Sequence, residues 1–177
     1  FRSLRAETQP DESLLPDRMI FTQSLLWGER GLMRKTGLSP LNTVQREKEL
    51  KLRRKMLKIH QVIGYFTLAG MIAQGVMGTE LYKGKNFRYN AHKTVGNLTS
   101  ISYFTGASLS LFAPPPLINK KQKGLSSIKA HKYLATLHFS AMVATNTLSK
   151  KNRQLHRAAA YTAFGSYATA ILVFTFK

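Results

Sequence analysis

Four of the five histidines in this chain open copies of one short pattern, in which a small residue follows the histidine by four positions. The histidines are His60, His92, His131 and His156, and the small residues are Gly64, Gly96, Ala135 and Ala160. Imidazole is a common metal ligand, and its two nitrogens allow one to bind a metal while the other is hydrogen-bonded. The repeated placement therefore predicts that the four histidines share one metal-binding chemistry.

Each of these histidines precedes a long segment that is poor in charged residues. The segments cover residues 60–82, 92–113, 131–148 and 156–176. A membrane-spanning helix needs about 20 residues, within a range of about 17–25, and the third segment reaches this length only with its flanks. The segments are rich in glycine, serine and threonine, which predicts an obligate bundle whose polar faces point inward.

Composition excludes several classes of site and partner. The 177-residue chain contains no cysteine, so disulfides, thiolate-bound zinc, iron–sulfur clusters and covalently attached c-type haem are excluded. It has 27 lysines and arginines against 8 acidic residues, for a formal net charge of +19. The basic residues crowd the N-terminal third and the links between the four segments. This distribution is typical of a protein with a lipid bilayer as its partner, and we expect no nucleic-acid-binding face.

The N-terminal part, residues 1–58, is predicted to be a basic helical arm. Residues 19–35 show apolar residues at helical spacing around Trp27, which fits a helix in the membrane interface and fits equally a helix packed on a partner subunit. Residues 44–58 form a highly charged helix that runs without a breaker toward His60. The chain begins at Phe1 without a methionine, which fits the removal of a signal or transit segment as well as an incomplete chain.

The predicted fold is therefore all-α. Residues 59–177 form an integral membrane four-helix antiparallel bundle, and residues 1–58 form an interfacial or extramembrane arm. Asn42 or Thr43 is a plausible N-cap for the charged helix, and Ser126 for the third bundle helix.

An antiparallel bundle brings the histidines together in two pairs. His60 and His131 open the first and third segments and so lie at one membrane face, whereas His92 and His156 lie at the other. Two imidazoles on opposed helices are the axial ligands of a six-coordinate b-type haem, which has no covalent link to the protein. The small residues one turn away would leave room for the porphyrin. The sequence thus predicts two non-covalent b haems, although each histidine taken alone also fits a headgroup-anchoring role.

The fifth histidine, His138, lies seven residues after His131 and on the same helix face. Seven residues span about 10.5 Å of helix, so His138 lies deeper in the bundle. It is an alternative to His131 as an iron ligand, a hydrogen-bonding partner for a haem propionate or a quinone, or a core histidine. The register of the repeat favours His131.

The order of the histidines resembles the core of the cytochrome b-561 family, whose members are transmembrane electron carriers with two haems. The run from Arg54 to Gly64, Arg-Lys-Met-Leu-Lys-Ile-His-Gln-Val-Ile-Gly, also resembles uncharacterised four-helix membrane proteins of bacteria and plastids that are related to that core. The resemblance covers residues 55–177 and implies two haems ligated by the four paired histidines. It does not extend to a dedicated site for the family's ascorbate or ferric-reductase roles.

Two functions follow as hypotheses. The first is a transmembrane b-type cytochrome that carries electrons through two bis-histidine haems, as a subunit of, or partner to, a membrane redox complex. A quinone is a candidate substrate, and the location would be an energy-transducing membrane, either the bacterial inner membrane or an organellar one. The second is a non-catalytic accessory subunit of a respiratory or photosynthetic complex, with one haem or none. In both cases the N-terminal arm would contact neighbouring subunits.

Overall fold

A computed structural model describes residues 14–117 and 126–175, which are helical with no strand among them. Its α-helices are α1 (Phe21–Trp27), α2 (Leu32–Lys35), α3 (Thr43–Tyr82), α4 (Tyr89–Leu111), α5 (Ser127–Leu148) and α6 (Arg153–Thr175), with a 3-10 helix at Asn86–Arg88. The predicted all-α class is confirmed. Residues 1–13 of the predicted arm and Phe176 of the fourth predicted segment lie outside the described residues.

The chain divides into two compact units. Unit 1 consists of Phe1–Leu57 and Leu111–Lys120, and unit 2 consists of Lys58–Ser110 and Lys121–Lys177. The second predicted segment extended to residue 113, but α4 ends at Leu111, and the three prolines that follow cannot continue a helix.

Helix α3 joins two predicted segments, 44–58 and 60–82, into one helix of 40 residues. It contains no proline, and its first half is rich in lysine, arginine, glutamate and leucine, which are good helix formers. The predicted N-cap is confirmed, because Asn42 Oδ1 accepts a hydrogen bond of 2.9 Å from the Gln45 amide. The chain leaves the helix through Gly84, whose φ of 90° is a backbone conformation that favours glycine.

Among the helices described, α3 alone is long and apolar enough to cross a membrane by length and composition. Only 11% of its apolar window is buried. The core helix of a water-soluble protein would bury most of such a window.

The predicted helix at 19–35 is two short helices, α1 and α2, separated by Gly28–Gly31. A Cβ at Gly28 would lie 2.5 Å from the Ser24 carbonyl oxygen, so the chain can turn this closely only with glycine there. Trp27 is buried within unit 1, and its Nε1 donates a 3.0 Å hydrogen bond to the Phe112 carbonyl. Its indole therefore packs inside unit 1.

A buried ionic cluster holds unit 1 together. Glu49 accepts hydrogen bonds from Arg34, Arg46 and Ser39, and the side chains of Glu49 and Arg46 are each 2% exposed. Burial raises the pKa of the Glu49 carboxyl, but the hydrogen bonds from these three residues outweigh burial and hold the pKa below its ordinary value of 4.5. The carboxylate is therefore the ionised centre of the cluster.

Arginines of α3 also bind the carbonyl groups of the three-proline segment, residues 114–116. Arg46 Nη2 donates to the Pro115 carbonyl at 3.2 Å, and Arg53 Nη1 donates to the Pro114 carbonyl at 2.7 Å. Burial, together with the nearby charge of Arg46, lowers the pKa of Arg53. Proline carbonyls keep their full acceptor capacity while the ring removes the amide donor, so this segment is suited to receive two guanidinium groups.

Unit 2 is built from the part of α3 after Leu57 and from α4, α5 and α6. Its helices contact each other in antiparallel order, as side-chain contacts between early residues of one helix and late residues of its neighbour show. These contacts include His60–Gly106, Gln74–His92, His156–Thr145 and Tyr167–Gly64. The buried centre consists of Met71, Tyr103 and Met142, with Phe104 and Tyr167 packed against them. Ser126 caps α5 by accepting from the Lys129 amide, as predicted.

Candidate functional site

The histidines of unit 2 meet across the helices in two places. His92 on α4 and His156 on α6 have ring centroids 6.4 Å apart and planes inclined at 84°. Two imidazoles on opposite sides of one metal ion, each with a metal–nitrogen bond of about 2 Å, have centroids about 6 Å apart. The two rings are thus at the separation that shared coordination requires.

The second meeting point involves α3 and α5. Electrostatic interaction links His60 of α3 with His131 and His138 of α5, and no ring contact such as that of His92 with His156 is seen between them among the described residues. The structure therefore brings His60 to the helix that carries His131 and His138, and it brings His92 to His156.

Backbone carbonyls orient three of the four repeat histidines. His60 Nδ1 lies 2.8 Å from the Gly106 oxygen, and His156 Nδ1 lies 2.8 Å from the Thr145 oxygen. His131 Nδ1 lies 3.5 Å from the Ala170 oxygen, at the limit of a hydrogen bond. A carbonyl can only accept, so Nδ1 must be the protonated nitrogen in each ring. The lone pair of a neutral imidazole is then on Nε2, where a metal would bind.

His92 is the exception, because its Nδ1 is buried and has no hydrogen-bonding partner among the described residues. Gly78 on α3 allows this ring to approach: a Cβ there would lie 3.2 Å from His92 Cε1. A buried polar atom without a partner is costly and needs an explanation. Metal coordination at Nδ1 would supply one, whereas coordination at Nε2 would leave Nδ1 without a partner.

The glycines that contact the histidines are not those of the repeat. Gly106 accepts from His60, and a Cβ on it would lie 3.2 Å from Ile63 Cγ2. At Gly64 the nearest atom to such a Cβ is the Tyr167 hydroxyl at 3.5 Å, and at Gly96 it is Gln74 Oε1 at 3.2 Å. The spaces beside Gly64 and Gly96 are therefore filled by side chains of neighbouring helices.

Ala135 and Ala160 are both half-buried. The sequence pattern missed Gly78 and Gly106 because each lies on the helix opposite its histidine. A search for glycines at matching depth on an antiparallel neighbour would have found both.

His138 lies in the aromatic centre of unit 2. Its Nδ1 is 2.6 Å from the hydroxyl of buried Tyr103, and its ring centroid is 5.0 Å from that of Tyr167. Unlike the other histidines with a hydrogen-bonded Nδ1, it is paired with a side chain and not with a backbone carbonyl. This contact is the one expected of a core histidine with a polar partner.

The two meeting points lie at opposite ends of the bundle. His60 and Gly78, which mark them on α3, are 18 positions apart in the chain, and this corresponds to about 27 Å of helix at 1.5 Å per residue. The hydrocarbon core of a bilayer is about 30 Å thick.

The residues present fit axial ligation of a porphyrin iron. Such ligation needs only two imidazoles per iron, with the other four ligands supplied by the macrocycle. The described residues contain no group of three or more histidine, cysteine, aspartate or glutamate side chains that could hold a bare metal ion.

No model of a known protein family matches the chain, and neither does any curated protein or solved structure.

Proposed function

We propose that unit 2 spans a membrane as a four-helix bundle and binds two b-type haems, one at each end, so that the protein carries electrons. His92 and His156 would ligate one iron, and His60 and His131 the other. The observation that carries this proposal is the geometry of the His92–His156 pair, whose ring centroids lie 6.4 Å apart, close to the spacing of two ligands on one ion.

The proposed role of each histidine follows from its hydrogen bond. Donation from Nδ1–H to a carbonyl fixes the tautomer, holds the ring in place and makes Nε2 a better ligand. His60 and His156 are held in this way at 2.8 Å, so they are the anchored member of each pair. His131 and His92 complete the pairs.

A bound haem would supply one-electron chemistry by cycling between ferric and ferrous iron. The chain's own residues would position it and exclude water. Gly78 and Gly106 let the helices and imidazoles approach, and the aromatic centre around Tyr103 separates the two sites with apolar material.

The exterior of unit 2 supports its placement in a membrane. Large apolar side chains are exposed on all four helices: Phe66, Val76, Leu98, Ile101, Tyr133, Leu137, Phe164 and Leu172. Water-soluble monomers seldom expose contiguous apolar patches of more than a few hundred Å², whereas lipid tails solvate such residues at no cost. The location proposed is accordingly an energy-transducing membrane, bacterial or organellar.

The hydroxyl groups that lower the hydropathy of α4, α5 and α6 are compatible with lipid. Many donate to the carbonyl four residues earlier in their own helix, which satisfies the hydroxyl without water. The residues that do so are Thr99, Thr136, Ser140, Thr145, Thr162, Ser166 and Thr169. Composition alone therefore underestimates how well these helices would fit a bilayer.

The test is the absorption spectrum of the full chain purified in detergent after expression with haem supply. We expect the sharp reduced bands of low-spin b haem, and their complete loss in a His60→Ala, His92→Ala double variant. The matched control is a Lys58→Ala, Lys93→Ala double variant, in which Lys58 is two residues before His60 and Lys93 directly follows His92. This control should keep both haems. A folded, membrane-inserted, colourless wild type would contradict the proposal.

A second candidate is an accessory subunit of a respiratory or photosynthetic complex that binds one haem or none. It is favoured by the exposed apolar residues of unit 1, Phe21, Leu25, Leu32 and Leu38, which suit a protein neighbour. Co-purification from the native membrane after mild solubilisation would test it. Recovery of stoichiometric partners that are lost in a Phe21→Ser, Leu25→Ser variant supports this candidate, and recovery of the chain alone contradicts it.

A further inference from the structure

One end of unit 2 is strongly basic. It comprises the end of α3, the start of α4, the end of α5 and the start of α6. Its basic residues are Lys83, Lys85, Arg88, Lys93, Lys150, Lys151, Arg153 and Arg157, against the single acidic residue Glu80. Glu80 is already engaged by Lys85 at 3.5 Å and by Arg88 at 3.0 Å. The remaining cations at this end have no carboxylate left among the described residues.

Two of these cations are held in fixed positions on one aromatic ring. The guanidinium carbons of Arg153 and Arg157 lie 5.3 Å and 4.3 Å from the centroid of the Tyr82 ring. Arg153 Nη2 also donates to the Leu81 carbonyl at 2.7 Å, and Arg157 lies 5.4 Å from the Tyr161 ring. Stacking orders the guanidinium groups while leaving donors for another acceptor, and such forks match the oxygens of a phosphate.

The two arginines lie at one end of the α3–α6 seam, which is the contact line between these helices from Tyr82 and Arg157 to Gly75 and Gly165. Tyr161 of α6 lies beside Thr79 of α3, which is one helical turn before Tyr82. Another turn along each helix, Gly75 and Gly165 are positions where an added Cβ would meet no described atom within 4 Å. Exposed Ile72, Val76 and Phe164 continue the apolar surface beyond them. The two arginines and an open apolar groove therefore lie on the same pair of helices.

We propose that this α3–α6 seam binds an anionic phospholipid, with its phosphate on Arg153 and Arg157 and one acyl chain along the groove past Gly75. The proposal rests on the membrane placement of unit 2 in the proposed function. The charge of the site selects the lipid class: an anionic headgroup gains from both arginines, whereas a zwitterionic headgroup brings its own cation. Each basic residue near a membrane surface contributes about 1 kcal/mol to such attraction. Loss of both arginines should therefore weaken binding by about tenfold or more.

The test uses the full chain in neutral detergent, with phosphatidylglycerol as the probe and phosphatidylcholine as the comparison lipid. Native mass spectrometry and thermal stabilisation on lipid addition both report binding. An Arg153→Gln, Arg157→Gln variant should bind phosphatidylglycerol at least about tenfold more weakly. A Lys58→Gln, Lys132→Gln variant loses the same charge at the other end of the unit and should change binding by less than about twofold.

A second variant tests the proposal independently, in case the arginine variant does not fold. Gly75→Leu keeps both arginines and places a side chain in the open groove, so it should weaken phosphatidylglycerol binding several-fold without loss of helicity. Equal losses in the two charge variants, or an unaltered affinity in Gly75→Leu, would overturn the proposal, and so would equal stabilisation by inorganic phosphate alone. Haem absorbance, measured on the same samples, tests the haem proposal separately. A chain that binds lipid but contains no haem would contradict the haem assignment and leave the lipid site supported.

Discussion

Unit 1 and unit 2 bury different kinds of polar group. In unit 1 the buried polar residues include ionised side chains, Arg46 and Glu49. In unit 2 the described buried polar residues are the hydroxyl-bearing Thr67, Thr99 and Ser166, and no charged side chain is buried there. Both units expose large apolar residues, so the difference lies in the interior, where unit 2 holds hydroxyls and imidazoles.

This difference indicates which perturbations should destabilise each unit. Burying a charge costs several kcal/mol unless it is paired and hydrogen-bonded, and unit 1 satisfies that condition with Glu49 between Arg34 and Arg46. The described residues of unit 2 include no buried charged side chain. Unit 1 should therefore be sensitive to charge neutralisation and pH, and unit 2 to close helix packing and to its histidines.

The largest expected stability effect is in unit 1. Glu49→Gln keeps the shape of the side chain but leaves Arg34 and Arg46 without a counter-charge, and removing one partner of a buried ion pair costs roughly 3–5 kcal/mol. The single tryptophan, Trp27, is buried in unit 1 and unit 2 has none, so fluorescence during denaturant unfolding follows unit 1 alone.

The matched control is Glu47→Gln, two residues away on the same helix. Glu47 forms an exposed ion pair with Lys51 at 2.9 Å, and exposed pairs contribute little to stability because water screens them. Equal denaturation midpoints for Glu49→Gln and Glu47→Gln would show that the buried ionic cluster does not stabilise unit 1, which would contradict the comparison of the two units.

Acid should destabilise unit 1 before unit 2. The pKa of the Glu49 carboxyl is below its ordinary value of 4.5 in the folded chain, so the unfolded chain takes up this proton first as the pH falls. The stabilisation is complete above pH 4.5 and is lost progressively below it, as the pH falls through the lowered pKa. Tryptophan fluorescence between pH 7 and 3 should show this loss in the wild type and a flatter profile in Glu49→Gln. A wild type as flat as the variant would contradict the assignment.

A smaller effect should distinguish two glycines of α3 in unit 2. A Cβ at Gly70 would lie 2.4 Å from Thr99 Oγ1, so Gly70→Ala must displace Thr99 or separate α3 from α4, at about 1–3 kcal/mol. Gly75 faces open space, and Gly75→Ala should be neutral or stabilise by up to about 1 kcal/mol through helix propensity. Thermal unfolding in detergent, followed by helical circular dichroism, measures both. A Gly70→Ala variant as stable as Gly75→Ala would show that the two helices do not pack this closely.

Most helix boundaries were predictable because their signals are local. Charge-poor segments, the three prolines after Ala113 and the Asn42 and Ser126 caps are all read from short stretches of chain. The histidine register predicted which helices face each other, and the rings of His92 and His156 do meet. Whether those rings ligate haem remains a prediction.

The rest depended on contacts between residues distant in sequence. Nothing near Glu49 in the chain predicts that Arg34 will reach it, and nothing near His60 indicates the Gly106 carbonyl. The break between α1 and α2 also depends on close backbone contacts at Gly28, where a helical pattern continues in the sequence. Such features follow from tertiary packing, which overrides local periodicity.

The most direct test of the central claim is the haem content of single-histidine variants, measured from reduced-minus-oxidised spectra per mole of purified full chain. The wild type should hold two haems. His92→Ala and His156→Ala should each lose the same spectral component, His60→Ala and His131→Ala should each lose the other, and His138→Ala should retain both. Loss of a component in His138→Ala but not in His131→Ala would contradict the ligand assignment, and a wild type without haem would contradict the account as a whole.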